Sequence, residues 1–255
     1  MKAVVIKGRG GPEVLDVADV PRPEPRGESV LVRVHTAALN RADLLQAKGL
    51  YPAPPGVPAD IPGLEFAGVV EALGPDVHDP IQVGDRVFGI VAGGAQAEYL
   101  TTHPRMLAKI PDALDFNAAG AVPEAFITAH DALITQGGLA PGESVLIHAA
   151  GSGVGTAAVQ IAHAMGCTIL GTSRTADKLG RAHDLGMDVG MLTDEMVFAE
   201  KVLHETGGAG VAVILDLLGA KALSENLKAI AKRGRIVQVG LLTGARAEID
   251  LNALL

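Results

Sequence analysis

The chain has 255 residues, 48% hydrophobic and 20% charged, which is enough core-forming material for one large domain or two. A net charge of −8 speaks against a bulk electrostatic nucleic-acid binder, and the single cysteine, Cys167, excludes an intramolecular disulfide and any multi-cysteine zinc site. No apolar run approaches the roughly 20 residues of a membrane span and the apolar run near Met1 is too short for a secretion signal, so a cytoplasmic protein with no membrane partner is expected.

The first half reads as short strands separated by Gly/Pro turns. Lys2–Ile6, then Leu15 with Val17 and Val20, then the alternating Val30, Val32 and Val34 come first. Glu65–Leu73, Asp85–Ile90, Gln96–Thr102 and Met106–Ile110 follow. About seven short strands of this kind fit a partly open barrel better than a βαβ array. Arg41–Ala47 reads as a helix with Asn40 at its cap. Tyr51–Pro62 holds five prolines in twelve residues and reads as a surface loop. Pro123–Ile134 reads as a helix, and Gly137, Gly138, Pro141 and Gly142 mark a boundary. The expected domains are 1–135 and 136–255.

From Ser144 strands alternate with helices, as in a parallel sheet. The expected strands are Val145–Ile147, Ile169–Thr172, Val189–Met191, Val211–Leu215 and Ile236–Val239. Helices fall near Val154–Met165, Asp177–Leu185, Met196–Thr206 and Ala222–Ala231. Between the first strand and its helix stand Ala149, Ala150, Gly151, Ser152, Gly153, Val154 and Gly155. A turn of this kind brings the backbone close to a phosphate, and the helix behind it aims free N–H groups and a positive dipole at that phosphate. The spacing departs from G-x-G-x-x-G, because Thr156 stands where a third glycine would be. Five strands are present where a complete dinucleotide fold has six.

Together these segments resemble the zinc-free quinone oxidoreductases of the medium-chain dehydrogenase/reductase superfamily. The motifs are Asn40–Asp43, Tyr51, Gly63–Val70, Gly84–Val87, Pro123–Ala125 and Ala149–Gly155. The resemblance implies a GroES-like barrel followed by a Rossmann doubly wound sheet, truncated here at its C-terminal end. It implies a homodimer for full-length members; the pairing edge would lie beyond Leu255, so dimerisation is not carried over to this chain. Zinc-dependent relatives have a cysteine at the place of Asn40 and a histidine near Leu64 and Glu65, so no metal is expected here.

The implied activity is hydride transfer from NADPH to a quinone or similar conjugated carbonyl. The alternatives are reduction of an enone or enoyl thioester, and NADPH binding without turnover. By resemblance, Asn40 and Thr128 hold the nicotinamide ribose and phosphate region, and Tyr51 lines the acceptor site. Read from the residues alone, Asn40 is equally a helix cap and Tyr51 a loop-rim residue. Ala150, Gly151, Ser152, Gly153, Val154 and Gly155 form the phosphate turn. Gly240 and Leu241 follow the fifth strand, where resemblance places backbone contacts to the nicotinamide amide and Gly240 alone reads as a turn residue. Cofactor choice is read after the second strand, where NAD-binding folds carry an acidic residue. Here Ser173, Arg174, Thr175 and Lys178 supply hydroxyls and two cations, which suits a 2′-phosphate or, more plainly, a solvated helix start. Glu65 and Asp85 read as structural carboxylates, His148 as a hydrogen-bonded strand end, and Cys167 as a buried inert thiol.

Overall fold

The computed structural model describes residues 1–193 and 196–254. The chain divides into two compact units, Met1–Glu124 and Ala125–Leu255.

In the first unit β1 (Lys2–Ile6) pairs antiparallel with β2 (Leu15–Asp19). Five further strands are β3 (Val30–Ala37), β4 (Glu65–Leu73), β5 (Arg86–Ile90), β6 (Tyr99–Thr102) and β7 (Leu107–Lys109). They form an antiparallel sheet of order β6-β3-β4-β5-β7. Alternating Val30 and Val32 face Phe66, Val70, Val87 and Leu100 in its core. The β3–β4 ladder shifts register twice, and such bulges curl a sheet toward a barrel. A single bridge, Ala3 to Ala97, joins β1 to the segment leading into β6. β6 starts at Tyr99 instead of the expected Gln96, and residues 96–98 bond to β1, Val4 donating to Gln96 and Glu98 to Lys2. Two short helices, α1 (Arg41–Ala47) and α2 (Phe116–Gly120), complete the unit.

The helix α3 (Pro123–His130) runs from the last residues of the first unit into the second and continues as a π-helix over Asp131–Gln136. Its Ala129, Ala132 and Leu133 are buried in the second unit's core. This is why the division falls after Glu124, whereas composition placed it at 135/136. The turn-forming glycines lie after the helix, but packing assigns the helix to the second unit.

The second unit is a parallel sheet of β8 (Ser144–Ile147), β9 (Thr168–Ser173), β10 (Val189–Leu192), β11 (Val211–Asp216) and β12 (Ile230–Gln238). Its order is β10-β9-β8-β11-β12, so the winding direction reverses between β8 and β11. The helices are α4 (Gly153–Ala164), α5 (Ala176–Asp184), α6 (Ala199–Glu205) and α7 (Leu223–Ala229). Successive strand residues point to opposite faces. Val145, Ile147, Ile169, Val213 and Leu215 enter one core, and Leu146, Leu170 and Ile214 enter another. Both faces being covered explains why these strands read as unbroken apolar runs. The last crossover differs from expectation. α7 stops at Ala229, and β12 starts at Ile230, kinks with Arg233 at φ 63, and regains register at Arg235.

Candidate active site

In the second unit the turn after β8 lies beside the point where the sheet reverses. Ser152 caps α4, its Oγ accepting from the Gly155 N–H at 3.1 Å. The N–H groups of Gly153 and Val154 meet no acceptor among the described residues. A β-carbon added at Gly153 would enter open space, so the turn leaves room for a ligand there. Gly155 is different. Its β-carbon would overlap the Ala149 carbonyl oxygen and come within 2.8 Å of the Ala150 Cα, so this glycine sets the close approach of helix to strand. The packing role that the standard fingerprint gives to a third glycine at 156 is filled here at 155.

Ser173 ends β9 and is buried, and its Oγ lies 3.4 Å from the Thr175 N–H it accepts from. Arg174, Thr175 and Lys178 are exposed. Lys178 is brought to the glycine turn: a β-carbon on Gly151 would sit 2.5 Å from the Lys178 Cβ and 3.0 Å from its Cγ. Asp177, the nearest carboxylate along the chain, pairs with Arg181 at 3.3 Å on the exposed face of α5. A cation, a free pair of helix N–H groups and an adjacent hydroxyl therefore share one edge of the sheet. That donor set fits a phosphorylated dinucleotide.

The loops after β11 and β12 are joined by backbone bonds. The Asp216 carbonyl accepts from Val239 and Gly240, at 2.8 and 3.2 Å, and the Leu218 carbonyl accepts from Thr243 at 2.7 Å. Gly240 is required there, since its β-carbon would lie 2.7 Å from the Leu217 carbonyl oxygen. Leu241, 56% exposed, and Leu242 stand on this loop as an uncovered apolar pair. Thr128 is half-buried on α3 beside the buried Ala129.

In the first unit Asn40 holds the N-cap position of α1 in a capping box with Asp43, whose carboxylate accepts the Asn40 N–H at 2.7 Å. The N–H₂ end of the Asn40 amide reaches Glu65, Nδ2 donating to Oε1 at 2.8 Å. The other Glu65 oxygen accepts the Glu124 N–H at 2.9 Å. Asp43 also accepts the N–H of Gly63, whose φ of 105° lets the chain pass under Gln96 at the start of β4. Burial pushes the carboxyls of Asp43, Glu65 and Glu124 above their ordinary range, and for Glu124 the charges of Glu65 and Asp43 add to it. Tyr51 stands apart on the proline loop, 43% exposed. That loop lends Val57, Pro58 and Ile61 to an apolar cavity of about 560 Å³, which Tyr51 does not line. Asp85 accepts the Gln82 N–H at 2.8 Å and pairs with Lys109, a turn carboxylate as its strand position implied.

Two residues that spacing alone did not connect meet His148, and a third lies behind one of them. The His148 ring lies 2.8 Å from the Thr172 hydroxyl and 2.7 Å from the Asn226 amide oxygen, and Asn226 in turn donates to Asp216 at 2.9 Å. Asp216 is readable as a strand-end residue before a glycine turn. Asn226 lies 78 residues from His148 and carries no local signal. Cys167 is buried, its thiol donating to the Ala140 carbonyl at 3.5 Å, and burial pushes the thiol up.

An antiparallel barrel unit joined to a parallel sheet that reverses beside a glycine turn is the build of a two-domain, nucleotide-dependent oxidoreductase. Residues 26–112 match the profile described as alcohol dehydrogenase GroES-like domain, and residues 153–255 match that described as zinc-binding dehydrogenase. Human quinone oxidoreductase is 35% identical over 254 residues, 99% of this chain and 75% of the human protein. Erythronolide synthase EryA2 of Saccharopolyspora erythraea is 43% identical over 224 residues, 87% of this chain and 6% of that protein. The crystal structure of Pseudomonas syringae quinone oxidoreductase has a TM-score of 0.89 at 33% identity, covering 99% of this chain and 77% of that one. A mycobacterial structure complexed with NADPH has the same TM-score and identity, covering 100% of this chain and 78% of its own. The chain belongs to the quinone oxidoreductase family of the medium-chain dehydrogenase/reductase superfamily, and it is an NAD(P)-binding oxidoreductase acting on a small molecule. Zinc, present in the second profile's description, does not fit the donor set. Asn40 turns an amide N–H toward Glu65, and the described residues hold no group of three or more His, Cys, Asp or Glu arranged as metal ligands. No helix among the described residues is long and apolar enough to cross a membrane.

Proposed function

We propose that the chain is an NADPH-dependent, metal-independent reductase of quinones or similar conjugated carbonyls, working in the cytoplasm. The observation that carries the cofactor half is the seating of Lys178 against Gly151, beside unpaired helix N–H groups, with hydroxyls and Arg174 where an acidic residue would select NAD. The bound dinucleotide supplies the hydride, and the protein supplies placement and exclusion of water. Gly153 and Val154 donate to the pyrophosphate, while Ala150, Gly151, Ser152 and Gly155 shape the turn around it. Ser173, Arg174, Thr175 and Lys178 receive the 2′-phosphate. Gly240 and Leu241 meet the nicotinamide through their backbone, and Thr128 and Asn40 hold the ribose side. Glu65 restrains the Asn40 amide, which fixes which end of that amide faces the ligand. Tyr51 lines the acceptor and polarises its oxygen. A quinone that gains a hydride needs only one further proton, which solvent supplies, so a site without a strong acid suffices.

A second reading, reduction of an enoyl thioester, is favoured by the 43% identity with a stretch of EryA2 and by the 31% identity and TM-score of 0.87 with the CurK enoyl reductase. Loss of reduced-nicotinamide absorbance, followed with NADPH and NADH against a quinone and a crotonyl thioester, decides among them. Quinone turnover that prefers NADPH supports the proposal. Preference for NADH removes the role given to Lys178, and turnover of the thioester alone replaces the quinone.

A further inference from the structure

We infer that His148 is a positioning residue for dinucleotide binding, holding the phosphate turn and the loops beyond β11 and β12 in one register as its neutral Nε2–H tautomer. The inference rests on the nucleotide-binding reading above. Its basis is the direction of the chain Asp216–Asn226–His148–Thr172. Asp216 accepts the N–H groups of Leu218 and Gly219 on Oδ1, at 2.6 and 2.9 Å. A carboxylate so held accepts and does not donate, so the Asn226 amide N–H₂ must face Oδ2 and its oxygen must face the imidazole. The histidine Nε2 therefore carries the proton, and Nδ1 accepts from the Thr172 hydroxyl. All four side chains are at most 1% exposed, so water offers no substitute partner.

Each end of this chain lies on a ligand-bearing segment. His148 directly precedes Ala149, which is held at φ 49, outside the range most side chains adopt, and starts the phosphate turn. Its backbone N–H donates to Leu215 of β11, and the Ala150 N–H donates to Thr172 of β9. Asp216 fixes the loop 217–219, its own carbonyl accepts from Gly240, and that loop accepts from Leu242 and Thr243. The imidazole thus spans the three strand ends at the switch point, from the phosphate side to the nicotinamide side.

The test compares equilibrium binding of NADPH and of 2′,5′-ADP, the adenine half alone, to the wild type, to Asn226→Leu and to the milder Thr172→Val. The histidine-ring nitrogen spectrum of the wild type is recorded at neutral pH. Expected are a protonated Nε2 and bare Nδ1 at His148, and NADPH weakened about tenfold in a folded variant while 2′,5′-ADP changes less than about twofold. Equal loss of both ligands, no loss of either, or a proton on Nδ1 overturns the positioning role. Wild-type protein that binds neither ligand overturns the cofactor reading beneath it. Should Asn226→Leu fail to fold, Thr172→Val and the ring spectrum decide between these outcomes.

Discussion

The barrel unit and the nucleotide unit both bury polar side chains, and they do it in opposite ways. In the barrel unit Asp43, Glu65 and Glu124 crowd together against backbone N–H groups and the amides of Asn40 and Gln96. In the nucleotide unit one carboxylate, Asp216, is satisfied by two backbone N–H groups and an amide, and the chain runs on through a neutral imidazole to the Thr172 hydroxyl. Burial disfavours charge of either sign, so it raises the three carboxyls and lowers His148. The stability consequences then run against each other. The carboxyls bind protons more tightly folded than unfolded, so their contribution is full below the ordinary values of 3.8 for Asp and 4.5 for Glu and is lost as pH rises through the folded values. His148 binds its proton less tightly folded, so its contribution is full above 6.5 and is lost as pH falls toward the folded value.

The sharpest way to break this contrast is Asp216→Ala, which strands two backbone N–H groups and the Asn226 amide in a dry interior. Denaturant unfolding should show the nucleotide unit losing about 3 kcal/mol or more, and an unchanged midpoint would mean that water takes over those donors. Gly155→Ala forces a methyl into fixed backbone atoms and should lower stability by about 1–3 kcal/mol in the same assay. Charge placed outside the core behaves differently. Replacing Arg174 by Ser and Lys178 by Met should leave the melting temperature alone and weaken NADPH about tenfold or more, with NADH within about twofold, by direct titration. Between pH 7 and pH 5, Glu65→Gln should flatten the acid-side gain of the barrel unit while the nucleotide unit still loses stability. Parallel calorimetric curves for variant and wild type would sink the assignment of that gain to Glu65.

Local signals place β4 and α1 at their observed bounds, because Gly/Pro turns and the capping Asn40 act within a few residues. The five-residue α2 is too short for periodicity to reveal, although Asp115 at its cap accepts the Ala118 N–H as such caps do. The kink in β12 at Arg233 is equally invisible, since the bulge is set by pairing with β11. At the candidate site the glycine turn is legible as a motif, while its partner is not. Lys178 reads as a cation near the ribose, but its seat on Gly151 is a packing fact between residues 27 positions apart. The bond from the Asn40 amide to Glu65, on β4, likewise carries no local signal.

That seat has a consequence for how such a protein can change. Gly151 cannot acquire a side chain while Lys178 lies across it, and Lys178 lies across it because the glycine is bare. A lineage drifting toward the other nicotinamide cofactor could not replace the glycine first, because the intermediate would clash. Shortening the lysine does not open the turn, because the nearest atom is its Cβ, which any residue but glycine keeps. Position 151 is therefore locked as glycine while α5 keeps its seat, and residue 178 is free to change its charge and length beyond Cβ without touching the motif.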